Sequence, residues 1–108
     1  IAMAAGTSTT VANGDVTYAA ANNVSVDKIT TATGGGGGNV ALTATAGAIG
    51  DVNAAAVNVT ANNLTATSAA GIGTVADPLD TEIATATART TGAGPIVLNE
   101  TDAITLTK

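Results

Sequence analysis

Asn39–Asp51 reads NVALTATAGAIGD, and Asn63–Thr74 reads NLTATSAAGIGT. Both open on Asn and an aliphatic residue, pass through Thr-Ala-Thr and close on Ile-Gly. A chain of 108 residues that repeats itself in so few residue types is a repeat before it is anything else. The repetition extends outward on a ruler of 20. Val24, Ala44, Leu64, Ala84 and Ile104 are each 20 apart, and two residues on stand Val26, Ala46, Ala66, Ala86 and Leu106, all apolar. A second register holds Val16/Tyr18, Val57/Val59 and Ile96/Leu98. Between the registers lie turn formers: Asn22-Asn23, Gly34 to Gly38, Asn62-Asn63, Gly71, Gly73, Gly92 and Gly94.

Within the segments the signal is β. Apolar and polar residues alternate in DVTYA, NVSV, AVNVTA, PIVLN and AITLT, the period of a strand with one face buried. Thr and Val are abundant, and β-branched side chains lose rotamer freedom in helices while packing well on a pleated surface. A β-sandwich would explain short strands and frequent turns, but nothing in a sandwich requires a constant spacing of 20. Fixed self-similarity predicts a parallel β-helix, or β-solenoid, of about five coils with a period near 20 residues. The expected core is Leu64, Ala66, Ala84, Ala86, Ile104 and Leu106, with Thr65, Thr85 and Thr105 outside. Asn22-Asn23 and Asn62-Asn63, 40 apart, are placed to stack their amides at corners.

Composition narrows the function. One aromatic (Tyr18), no Cys, no His and no Trp leave an apolar fraction of 45% made largely of Ala and Val. Small side chains remove little surface from water, so regular backbone hydrogen bonding must carry more than its usual share. Three basic residues (Lys28, Arg89, Lys108) against eight acidic ones give a net charge of −5. That balance argues against nucleic acid and against anionic membrane surfaces as partners. No run approaches the roughly 20 apolar residues of a membrane span. Absent Cys removes disulfides and thiolate metal sites, and suits a protein exported unfolded across a bacterial envelope.

Chemistry would fall to the carboxylates. Without His or Cys the nucleophilic dyads cannot be built, and scattered Lys28 and Arg89 give the carboxylates no basic partners, so the chain reads as no enzyme and as needing no cofactor. The densest acidic group is Asp77, Asp80 and Glu82 in ADPLDTE. It is the candidate for a calcium ion, which takes six to eight oxygens. The competing reading, preferred here, is a turn opened by Asp-Pro with Asp80 at the start of the next strand. Four N-x-S/T sequons occur, at Asn23, Asn58, Asn63 and Asn99. Gly34 to Gly38 lacks the Lys-Ser/Thr of a phosphate loop and reads as a glycine loop. Thr65/Thr67, Thr85/Thr87 and Thr105/Thr107 are expected to form an exposed Thr ladder. β-solenoid ice-binding proteins are similar in presenting such arrays.

GNVALTATAGAIGDV, AVNVTANNLTATSAAGIGT, ADPLDTEIATATA and GAGPIVLNETDAITLTK resemble repeats of very large bacterial surface proteins, the filamentous-haemagglutinin-like and autotransporter-type adhesins. The resemblance covers Gly14 to Lys108. It implies a right-handed solenoid, export to the cell surface or medium, and a role in adhesion or extracellular structure, usually as the stalk. Host or neighbour-cell glycans are the partners it implies.

Residues 1–108 are thus expected to form a single β-solenoid segment: a filament subunit, or a slice of a longer repeat protein. Residues 1–13 read as less regular and as an end-to-end contact. IAMAAGTSTTVA and TDAITLTK carry no capping helix or polar terminal repeat, so the coils are expected to continue in the chain or to stack on another copy.

Overall fold

The computed structural model describes residues 1–31 and 37–107. The expected glycine loop lies mostly outside that range, at Gly34 to Gly36, with Gly37 and Gly38 inside it. Lys108 also lies outside. The described residues contain no helix, and every strand pairing is parallel. The fold is a parallel β-solenoid measuring 34 × 29 × 24 Å.

Three faces build it. The first holds β1 (Ser8–Val11), β4 (Lys28–Thr31), the start of β7 (Val59–Ser68), the start of β9 (Leu79–Thr90) and β10 (Leu98–Glu100). The second holds β2 (Val16–Ala20), β5 (Asn39–Ala44), the ends of β7 and β9, and β11 (Thr105–Thr107). The third holds β3 (Val24–Val26), β6 (Ala48–Asp51) and β8 (Gly71–Ile72). Single bridges extend that face: Ala2 to Ser25 at one end, Ile72 to Ile96 at the other. On the first face Thr9 lies opposite Ile29, Ile29 opposite Val59, Val59 opposite Thr81, and Thr81 opposite Glu100. The chain therefore makes about four turns through five layers.

The register corrects the ruler of 20. On the second face the inward file is Val16, Val40, Leu64, Ala86 and Leu106, with steps of 24, 24, 22 and 20 residues. On the third it is Val24, Ile49, Ile72 and Ile96, with steps of 25, 23 and 24. Val16, Val59 and Ile96, grouped by sequence in one register, belong to three different faces. Ala84, expected inside, is exposed, and so is Ala46 on the same ruler.

The cause is visible in β7 and β9, which run through a corner without interruption. Ala61 and Leu64 are both buried and the two residues between them are not, so alternation slips by one at Asn62-Asn63. In β9 the same slip falls at Ala84-Thr85, between buried Ile83 and Ala86. Leu64, Ala66 and Ala86 are buried as expected, but Ile104 is 37% exposed and Leu106 68%. Leu106 is in the inward file, yet β11 pairs only β9 and no described layer covers it.

The core is a stack of like on like. Ile29, Val59 and Thr81 line one face, Val40, Leu64 and Ala86 the next, and Ile49 and Ile72 the third, all at 1% exposure or less. Burying one Ile, Leu or Val side chain contributes about 1.5–3 kcal/mol. Stacking is close enough that a Cβ on Gly38 would collide with the carbonyl oxygen of Gly14 one coil away. Residues 1–13 are more regular than expected. Ser8–Val11 is strand β1, and Ile1 to Met3 run along β3, with Ser25 N–H donating to Ile1 O at 2.9 Å and Met3 N–H to Ser25 O at 3.0 Å.

Carboxylates seal places where the ladder lacks a carbonyl. Glu100 accepts the Thr81 hydroxyl at 2.6 Å and the Ile83 N–H at 3.0 Å, where β10 ends and the chain leaves the first face. Asp15 accepts Asn39 N–H at 2.8 Å, and Asp27 accepts Thr7 N–H at 2.8 Å.

Candidate functional site: a two-loop groove

The corner leading from the third face to the first changes length from coil to coil. Between β3 and β4 it is Asp27 alone, and between the Ile96 bridge and β10 it is Val97 alone. In the two middle coils it expands, to residues 52–58 between β6 and β7 and to residues 73–78 between β8 and β9. Insertions in a solenoid leave the stacked core untouched and project from one side. These two, on adjacent coils, stand beside each other.

The first loop is anchored by amides. Asp51 Oδ1 accepts the Asn53 N–H at 2.6 Å, a local turn that bends the chain outward, and Asn53 Nδ2 donates to Asp27 O at 2.6 Å. Ala54 then takes φ 64°, a left-handed conformation that costs a non-glycine residue about 1–2 kcal/mol. The loop ends at Asn58, which is fully buried. Its Nδ2 is shared among Val26 O (3.0 Å), Asp27 O (3.0 Å) and Asp51 Oδ1 (2.6 Å), while its Oδ1 accepts Asp80 N–H at 2.8 Å. One side chain thus ties three coils together.

The second loop closes on itself. It opens at Gly73, whose φ of +63° and contact with Val97 O leave no room for a side chain. Thr74 and Asp77 exchange backbone hydrogen bonds at 2.9 and 3.2 Å, and Thr74 Oγ1 accepts Asp77 N–H at 3.0 Å. The turn expected to open at Asp77-Pro78 instead closes at Asp77, and β9 begins directly after Pro78, at Leu79.

Between the loops lies an open groove of about 310 Å³. Ala54 and Ala55 of one loop and Ala76, Asp77 and Pro78 of the other line it, with Asp80 and Asn99. Asp80 is only 5% exposed, and its Oδ1 accepts Asn99 Nδ2 at 2.5 Å. The groove offers carboxylate oxygen and methyl walls, and among the described residues no Lys or Arg lines it.

The sequence-derived sites fall into place unevenly. Of the calcium candidates, Asp77 and Asp80 share the groove, whereas Glu82 stands on β9 opposite Thr60 and does not line it. Among the described residues no three His, Cys, Asp or Glu side chains gather as a metal site. Thr65 and Thr105 are exposed and Thr67, Thr85 and Thr87 half-buried; Thr85 and Thr87 lie opposite Thr105 and Thr107 as expected, but Thr65 and Thr67 are one step off. Thr65 lies opposite Thr87, which lies opposite Thr107; Thr67 lies opposite Arg89; Thr85 lies opposite Asn63 and Thr105. Steps of 22 rather than 20 cause this. Asn amides do stack, but Asn63 Nδ2 donates to Asn39 Oδ1 at 2.6 Å rather than meeting Asn23, and Asn63 Oδ1 accepts the Thr85 hydroxyl. Asn23 instead accepts Ala48 N–H at 2.9 Å.

Of the sequon residues, Asn58 is closed to any modifying enzyme in the folded state, and the other three amides are hydrogen-bonded. Sequence reading marked Asn58 and Asn99 only as sequons and missed that Asn58 anchors the first loop and Asn99 lines the groove. The readable signal was the contrast between the tight VDK corner and the longer DVNAAAVNV and GTVADPL. The chain matches no protein-family model, no curated protein and no solved structure.

Proposed function

We propose that the chain is a structural β-solenoid module of an extracellular or cell-surface bacterial protein: a stretch of stiff rod, filament or sheath, or the stalk of an adhesin. The observation that carries this reading is the unbroken parallel ladder on all three faces. Five layers on the first and second faces are joined by backbone hydrogen bonds, so bending the rod requires breaking several at once. The resemblance to adhesin repeats supports the same reading. Its mechanism is geometric, each further coil adding about 4.8 Å to a protease-resistant rod.

A continuing coil, from the same chain or a second copy, would cover Leu106 and extend the one-sided pairing of β11. Electron microscopy of the native material tests the proposal. Filaments or rods a few nanometres wide are expected; compact particles with no elongated form would contradict it. A ligand-binding reading is favoured by one feature, the two-loop groove, because expanded loops on a solenoid gather on its binding side. Glycan or ice binding by the second face has the outward Thr rows in its support and no groove.

A further inference from the structure

We propose that the groove receives a lysine side chain presented by a partner protein, with the ammonium group held by Asp80 and Asp77. Three observations converge on it, none of them used by the stalk reading.

The first is the state of Asp80. A carboxylate at 5% exposure is costly unless its oxygens are paired and its charge is met. Asn99 satisfies Oδ1. Oδ2 accepts no hydrogen bond among the described residues, and no cationic side chain lines the groove that Asp80 borders. Asp77, three residues earlier on the loop that leads into β9, adds a second carboxylate at the rim. An entering ammonium meets that charge at the Asp80 oxygen that Asn99 leaves unoccupied.

The second is shape. About 310 Å³ is at the lower end of ligand pockets, too large for a bare ion and suited to one long side chain. Ala54, Ala55, Ala76 and Pro78 supply walls of methyl and methylene groups, against which the four methylenes of lysine lie while the charge reaches the polar floor. Among the described residues no aromatic ring lines the groove for a sugar face to stack on.

The third separates lysine from arginine. A guanidinium binds a carboxylate best through two parallel hydrogen bonds to both oxygens. Asn99 already occupies one Asp80 oxygen, so the buried carboxylate has one oxygen left and cannot take a guanidinium through both, an arrangement for a compact ammonium whose three donors diverge.

The test is a nitrogen-15 NMR titration of the folded chain with the acetylated amides of lysine, arginine and norleucine, with glucosamine as a fourth arm. The lysine probe is expected to shift the amides of Ala54, Ala55, Ala76 and Asn99 saturably in the millimolar range, as befits one ion pair and a short apolar stem. Norleucine should shift none of them, and arginine and glucosamine should bind at least about threefold more weakly. Asp77→Asn, in an exposed turn, should weaken the lysine probe with the remaining spectrum unchanged. Asp80→Asn should abolish the shifts, and should that variant unfold, Ala55→Phe, which fills the groove from an exposed loop, should abolish them in a folded chain. No lysine-dependent shift at the groove, or shifts of equal size with norleucine or arginine, overturns the proposal. Equal affinity for glucosamine overturns the assignment to a protein partner.

Discussion

Asn58 and Asp80 hold each other at both backbone and side chain: Asn58 N–H donates to Asp80 O at 2.8 Å, and Asp80 N–H donates to Asn58 Oδ1 at 2.8 Å. The same Asn58 amide nitrogen reaches Val26 and Asp27 on the coil behind and Asp51 on its own coil. It is the only kind of side chain that serves here, because the site needs two donors and an acceptor on one short stem. Asn58→Asp keeps the shape and removes the donors, setting a carboxylate against Asp51 and two carbonyls. The expected loss is about 3–5 kcal/mol of unfolding free energy, read by chemical denaturation. A loss below about 1 kcal/mol would show that the amide network does not hold the corner.

Ala54 is the only non-glycine residue of the groove loops with a left-handed backbone, at φ 64°. Glycine adopts that conformation without the Cβ clash, at the expense of a more flexible unfolded chain. Ala54→Gly is therefore expected to stabilise the protein by about 0.5–1 kcal/mol, seen as a raised denaturation midpoint. Destabilisation instead would mean that the loop does not hold this turn in solution.

Ala84 and Ala86 differ by two positions and by everything that matters to stability. Ala86 is 1% exposed beneath the stacked second face, and Ala84 lies outside at the corner in β9. Ala86→Asp buries an unpaired carboxylate and should cost several kcal/mol, whereas Ala84→Asp should change stability by no more than about 0.5 kcal/mol. Equal effects in urea denaturation would restore the ruler of 20 and reject the corner slip.

That slip explains how much of the fold was legible. Alternation and repetition point to a parallel solenoid, because Val-x-Val and Leu-x-Ala segments recur too regularly for any other β architecture. The period was misjudged because Ala occurs at so many positions that almost any phase finds one, and Ala is as easily outside, as at Ala46 and Ala84, as inside, as at Ala44 and Ala86. Large aliphatics carry the phase better. Val16, Val40 and Leu64 are 24 apart, and so are Asn39 and Asn63, which open the two copies of the repeat and lie opposite each other.

The site was less legible than the fold. Asp77 and Asp80 stand out as an acidic turn, but Asn99 joins them only through the register of β10 on β9. Ala54 and Ala55 join only because two loops expand at the same corner. Neither fact follows from local pattern, since both depend on counting coils correctly.

Coils repeat every 22 to 25 residues through the groove-bearing middle of the second and third faces, and the position of Thr65 shows it most directly. In this register Thr65 lies directly opposite Thr87, and its methyl group should be about 5 Å from that of Thr87. Thr85, opposite Asn63, is diagonal to it at about 7–8 Å. Nuclear Overhauser measurements on a chain with labelled Thr methyls are expected to show a Thr65–Thr87 contact, a matching Thr43–Thr67 contact, and nothing between Thr65 and Thr85. A Thr65–Thr85 contact with no Thr65–Thr87 partner would contradict the register, and with it the core, the corner and the groove built on it.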